Sequence, residues 1–210
     1  MTIHYPNGHQ YHPRPSRLRH TNQLDSISHA DRGMSLEQAV NESNQYYRAR
    51  NKAVIHKKPT PIQIVDVSYP KRSAAVIREA YFQAASTTDY NGIYRGHYID
   101  FDAKETTNKT SFPLANFHAH QIQHLRDCFQ LGGICFALIS FKPSNELFLL
   151  NGPDLFSAWD LQSQGGRKSI PKKQITQKGY ALPYRFNPVI PYLDAVDKII
   201  AAHKGEKNEF

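Results

Sequence analysis

Two aspartates and a lysine near the middle of the chain have the spacing of metal-assisted chemistry. Asp89 precedes the run Gly92-Ile93-Tyr94, Asp102 follows Tyr98-Ile99-Asp100-Phe101, and Lys104 comes two residues later. Both runs are rich in aromatic and β-branched types, and Arg95-Gly96 between them supplies turn chemistry, which predicts a hairpin. Side chains alternate along a strand, so Asp102 and Lys104 share one face while Ala103 points away into a packed layer. The hairpin returns the chain and brings Asp89 and Asp102 to the same end. Two carboxylates that close repel each other unless something positive sits between them. A hard divalent cation with oxygen ligands suits that place; Mg²⁺ keeps several waters for chemistry, and Mn²⁺ is a surrogate. Lys104 beside it can hold an attacking water or steady the charge that develops on a phosphorane. The chemistry is phosphodiester hydrolysis by a metal-dependent nuclease. Unrelated charges at a solvated strand end give the same spacing by chance. The hairpin context and the basic chain around it favour the nuclease.

The elements that must position these groups come from 210 residues, enough to bury the core of one domain. Lys and Arg outnumber Asp and Glu by 26 to 18, a net charge of +8, which favours a polyanionic partner such as nucleic acid. Cys128 and Cys135 are the only cysteines, without a CxxC arrangement or a disulfide framework, and read as reduced core residues. No apolar run approaches the length of a membrane span, so a cytoplasmic protein without a membrane partner is expected.

Residues 1–31 contain prolines, five histidines, Arg14, Arg17 and Arg19 and no apolar periodicity, as in a flexible basic arm. Ser35 with Gln38 makes a capping box for a helix through about Ala49, and Glu42 on that helix is a candidate to face the metal. Ala53-Val54-Ile55 reads as a short strand. Two prolines in His56-Lys57-Lys58-Pro59-Thr60-Pro61 should make the next segment project from the body. Pro61 to Val67 alternates as a strand with one apolar face, and Tyr69-Pro70-Lys71-Arg72 turns the chain. Lys57, Lys58, Lys71 and Arg72 flank that strand as candidate DNA contacts; the alternative is a solvated surface hairpin.

Asn108 to Pro113 reads as a loop and Leu114 to about Gln130 as a helix stopped by Gly132-Gly133. A zinc site from His120, His124 and Cys128 along that helix fails on distance. Eight residues of helix span about 12 Å, too far for one tetrahedral ion. Ile134 to Ser140 is expected to be a central strand buried on both faces, with Glu146 to Leu150 beside it. Pro153 to Leu161 and Ile190 to about His203 read as helices. The glycine loop Gly165-Gly166-Arg167-Lys168-Ser169 lacks nucleotide-binding spacing.

Longer blocks carry a resemblance. Thr87-Thr88-Asp89-Tyr90-Asn91-Gly92, then Tyr98-Ile99-Asp100-Phe101-Asp102-Ala103-Lys104-Glu105-Thr106, then Phe117-His118 and His120-Gln121 resemble the signature blocks of the RecU family of bacterial Holliday junction resolvases. Upstream, Tyr5-Pro6-Asn7-Gly8, Arg32-Gly33-Met34 and the run from His56 to Ala75 resemble it too, so the likeness covers nearly the whole chain. It implies an α/β fold with a restriction-endonuclease-like mixed sheet flanked by helices, and a protruding stalk at about 56–84 that enters the junction centre. The nuclease domain would then span 32–203, between the arm and a frayed tail at 204–210. The resemblance also implies a homodimer acting on four-way junction DNA, with Thr87 and Gln121 joining Asp89 and Asp102 at the metal, and Arg32 gripping a phosphate. A branch-migration helicase and the strand-exchange recombinase are implied partners. One departure is visible: the family usually has Glu where this chain has Asp102, one methylene shorter. Two rival functions share these features, a junction-binding architectural protein that does not cut and a general single-strand nuclease. The intact Asp89, Asp102 and Lys104 set argues against the first, and the projecting segment against the second.

Overall fold

The computed structural model describes residues 34–71, 74–82 and 87–207. The expected basic arm, Arg32 and Arg72 lie outside the described residues. Helix α1 (Leu36–Ala49) starts where the Ser35 hydroxyl accepts from the Gln38 N–H at 3.2 Å. That is one half of the expected capping box. The Gln38 side chain turns instead to Glu42, and the Glu105 carboxylate accepts from the Leu36 N–H at 3.2 Å, so a distant strand satisfies a helix-end donor. Strands β1 (Ala53–Lys57), β2 (Ile62–Lys71), β3 (Ala74–Phe82), β4 (Tyr90–Tyr94), β5 (His97–Thr106) and β6 (Ser111–Pro113) follow. Then come α2 (Ala119–Gln130), β7 (Ile134–Phe141), β8 (Glu146–Asn151), α3 (Gly152–Ser163), β9 (Ser169–Pro171), α4 (Lys172–Lys178), β10 (Tyr180–Leu182) and α5 (Tyr192–Lys207).

Six strands form a mixed sheet in the order β1-β4-β5-β7-β8-β10. Neighbours run antiparallel except β5 and β7, which are parallel and joined through α2, as a parallel pair requires a crossover. Every residue of β7 is buried, because both faces of the sheet are covered. On one face Ile99, Phe101, Phe136 and Leu138 pack with Leu36 and Val40 of α1 and Val196 and Ile199 of α5. On the other, Ala137 and Ile139 pack with Ile122 and Leu125 of α2, Leu155 of α3 and Ile175 of α4. This is the arrangement of a restriction-endonuclease-like core. No described helix is long and apolar enough to cross a membrane.

The β4–β5 hairpin turns at Arg95 (φ 49°) and Gly96 (φ 79°), both left-handed, the backbone twist a tight hairpin needs. Gly92 has a different cause: a Cβ there would lie 2.0 Å from the Val54 carbonyl oxygen, so only glycine lets β1 pair across it.

Several boundaries differ from the sequence reading. Strand β1 runs on to Lys57, pairing with β4 as far as Tyr90, so the projecting segment begins only after the prolines. Strands β2 and β3 form their own two-stranded sheet, and the expected apolar face is not covered: Ile62, Ile64, Val65, Val76 and Ile77 are exposed. The stretch read as a loop to Pro113 contains β6, paired with β9; three residues are too few to show a strand's alternation. The helix expected from Leu114 is broken by extended backbone at Phe117 and His118, and α2 starts where the Gln121 side chain accepts from the His118 N–H at 3.1 Å. Helix α5 starts after Pro191 and continues to Lys207, past the start of the expected tail.

Candidate active site

The hairpin register sets the acids. Tyr90 pairs with Phe101, which puts Asp89 opposite Asp102, and the Asp89 N–H donates to Asp102 Oδ1 at 2.9 Å. Lys104 Nζ lies 3.1 Å from Asp89 Oδ2 and 3.6 Å from Asp102 Oδ1. From α2, Gln121 Nε2 donates to Asp102 Oδ1 at 3.3 Å. Beneath the opposite face, Tyr90 stacks on Phe101 and Phe101 on Phe136, with ring centroids 4.9 and 4.7 Å apart. The rings stack at the spacing the β4, β5 and β7 ladders set, and pack the face beneath those groups. Asp89, Asp102, Lys104 and Gln121 therefore meet at one point.

The Asp102 side chain is fully buried, and among the described residues its Oδ2 has no hydrogen-bond partner. Burial pushes its carboxyl up to about 7; Lys104 opposes the shift and the Asp89 carboxylate adds to it. A buried carboxylate oxygen left without a donor, beside a second carboxylate, is a place that a cation would stabilise. Aspartate oxygens suit a hard ion, and the Gln121 amide orients one of them through its N–H while its oxygen accepts from the His118 N–H. The residues fit Mg²⁺ on this ground.

Alongside lies a second group of side chains that the sequence reading missed. Asp100 is fully buried. Its Oδ2 accepts from Tyr98 at 2.6 Å and from Lys58 at 3.1 Å, and lies 3.0 Å from His124 Nε2. The Thr88 hydroxyl donates to Oδ1, and Lys58 donates also to Thr88 at 3.0 Å. The main-chain N–H of Lys58 donates to the Asp89 carbonyl at 2.7 Å. Cys128, read as a core residue, is half-buried, with its sulfur 3.6 Å from His124 Nε2. Strand alternation was the available signal: Asp100, Asp102 and Lys104 all share a face.

The remaining candidates are more dispersed. Lys57 pairs with Glu37 and Lys71 is exposed on the hairpin. Lys58 is held by Asp100 rather than free at the surface. Thr87, Lys57, Lys58, Asp89 and Glu37 line a cleft of about 300 Å³ beside the acids. The Thr87 hydroxyl lies 3.5 Å from the Thr88 carbonyl. Glu42 accepts from Gln38 along α1.

Fold and site together define a nuclease class: a mixed sheet with an acid, acid and lysine set on the end of one hairpin. The chain matches the family Recombination protein U, RecU, over residues 31–198. It is 61% identical over 208 residues to the Holliday junction resolvase RecU of Limosilactobacillus reuteri, covering 96% of this chain and 99% of that protein. The protein of the same name from Lactiplantibacillus plantarum is 61% identical over 201 residues, covering 95% and 97%. That of Geobacillus thermodenitrificans is 55% identical over 199 residues, covering 95% and 98%. The chain belongs to the RecU family.

Proposed function

We propose that this protein is a structure-specific endonuclease that resolves four-way DNA junctions in homologous recombination and repair. It does so by metal-dependent phosphodiester hydrolysis with paired incisions. Membership of a family whose relatives are named Holliday junction resolvases supports the substrate. One observation carries the chemistry: Asp102 Oδ2 is buried with no donor among the described residues, while the Asp89 N–H, Lys104 and Gln121 all gather on its other oxygen.

Asp89 and Asp102 would hold Mg²⁺, or Mn²⁺ in its place, with Gln121 and Thr87 as further contributors. The ion, when bound, polarises the scissile phosphate and makes its water a better nucleophile. Gln121 holds the Asp102 carboxylate through Oδ1, leaving Oδ2 for the ion. The Asp89 N–H fixes the same oxygen, so the shorter aspartate is held firmly where the family usually has glutamate. Lys104, 3.1 Å from Asp89, orients the attacking water and balances negative charge as the phosphorus centre becomes five-coordinate.

The β2–β3 hairpin acts as the stalk that enters the junction centre, with Lys71 at the end of β2 and Arg72 as a further DNA contact. Arg32, Lys57 and Lys58 contact phosphates, the two lysines exchanging Glu37 and Asp100 for the DNA. The protein works as a homodimer in the cytoplasm, since two opposed strands must be cut to leave duplexes that can be ligated.

The test is to incubate purified protein and Mg²⁺ with a mobile four-way junction and with a linear duplex of matched sequence. Symmetric nicks on the junction alone are expected. Junction binding without cleavage, or equal cutting of single strands, would overturn this function.

A further inference from the structure

We propose that Asp100, His124 and Cys128 form a second cation site, separate from the acids at Asp89 and Asp102 and selective for a borderline-soft dication such as Zn²⁺. One oxygen, one imidazole nitrogen and one sulfur, all within 4.8 Å of one another, come from two elements that the sheet crossover brings together. Asp100 projects from β5 toward α2, and His124 and Cys128 stand one turn apart on the facing stripe of that helix.

The spacing fits the ion. A tetrahedral zinc at about 2.0–2.3 Å from each donor sets its ligands roughly 3.3–3.6 Å apart. Asp100 Oδ2 to His124 Nε2 is 3.0 Å, His124 Nε2 to Cys128 Sγ is 3.6 Å, and Asp100 and Cys128 lie within 4.8 Å of each other, so small rotations of the three side chains admit the ion. A run of three donors along one helix cannot reach a single ion, but replacing the outermost histidine by a strand carboxylate removes the reach problem. His120 is elsewhere, its ring stacked on that of His118.

The surroundings resemble an outer shell already in place. Metal-binding carboxylates are themselves hydrogen-bonded, which orients them. Asp100 accepts from Thr88 through Oδ1 and from Tyr98 through Oδ2. Lys58 gives up Oδ2 to the cation and keeps its bond to Thr88. Coordination forms a zinc–sulfur bond and releases the Cys128 thiol proton to solvent. Sulfur and imidazole ligands select zinc over magnesium. Asp100 and Asp102 are two residues apart on one strand, about 7 Å, so both sites can be filled at once. Zinc would pin α2 to β5 one turn from Gln121.

The proposal does not depend on junction cleavage, and its test reads metal binding directly. Chelator-treated, reduced full-length protein is titrated with Co²⁺ and the thiolate-to-cobalt charge-transfer absorption is followed. One equivalent should produce the band, Zn²⁺ should erase it, and excess Mg²⁺ should leave it unchanged. Cys128→Ser should abolish the band, and Cys135→Ser and Asp102→Asn should retain it. His124→Gln should weaken Zn²⁺ binding by roughly 10–100-fold or more. X-ray absorption at the zinc edge of the loaded parent protein should show one sulfur and one imidazole, and it needs no variant to fold. A parent protein without the band, a band that survives Cys128→Ser, or one lost in Asp102→Asn would overturn the site.

Discussion

Replacing Asp102 by Asn should make the metal-free protein more stable at alkaline pH. The carboxyl ionises near 7 in the folded chain against an ordinary 3.8, chiefly because it is buried. Such a group stabilises the fold fully below the unfolded value and loses that contribution as pH rises through the folded one. Above pH 7 the ionised Asp102 therefore costs on the order of 4 kcal/mol relative to its protonated form. Asparagine keeps the volume and the Oδ1 acceptor for the Asp89 N–H but carries no charge. Its amide nitrogen would stand where Oδ2 lacks a partner, which takes back about 1–3 kcal/mol. The net gain at pH 8 is about 1–3 kcal/mol, or several degrees in melting temperature, and falls by about 3 kcal/mol toward pH 4.5, where the variant is no more stable than the parent. Thermal unfolding of parent and variant in chelator across pH 4.5–8.5 measures it. Mg²⁺ should then stabilise the parent at pH 8 and leave the variant nearly unchanged. Parallel pH profiles for the two proteins would refute the idea that Asp102 is a desolvated carboxylate awaiting a cation.

Lys104→Ala should cut junctions slower by two or more orders of magnitude while binding them as the parent does, measured by incision and gel-shift assays side by side. Asp102→Glu, which restores the usual family residue, should keep cleavage with an altered preference between Mg²⁺ and Mn²⁺, read from rates in each metal. Alanine at Lys57, Lys58, Lys71 and Arg72 together should weaken junction binding and flatten its dependence on salt, since each lost phosphate contact releases fewer counterions; an unchanged salt series would remove the hairpin from the DNA interface. Gly92→Ala should lower stability by about 1–3 kcal/mol or more in urea unfolding, because the methyl meets the Val54 carbonyl.

The site's first half was legible because strand arithmetic is rigid. Once Arg95-Gly96 is a two-residue turn, Asp89 must oppose Asp102 and Lys104 must share its face. The central strand β7 was legible for a similar reason, an unbroken apolar run between Gly133 and Lys142. The second half was not, because it depends on how α2 lies across β5, and no local pattern states a helix's docking angle. Asp100 looked like an ordinary strand residue until His124 met it from the helix. Lys58 was read as a DNA-contacting charge because the acid that holds it, Asp100, lies 42 residues away in sequence. Strands β6 and β9 were invisible for want of length, and the resemblance, not the periodicity, supplied Thr87 and Gln121.

The single parallel pair in the sheet also sets an order of events for the newly made chain. The β4–β5 hairpin is local and can close early, bringing Asp89 to Asp102 with little loop entropy. Gln121 reaches Asp102 only after the crossover has docked and β7 has zipped alongside β5, a non-local pairing that forms slowly. On this topology the acids can come together before the helix that orients them arrives. A chain folded only that far would hold charged residues in proximity but no assembled cutting centre.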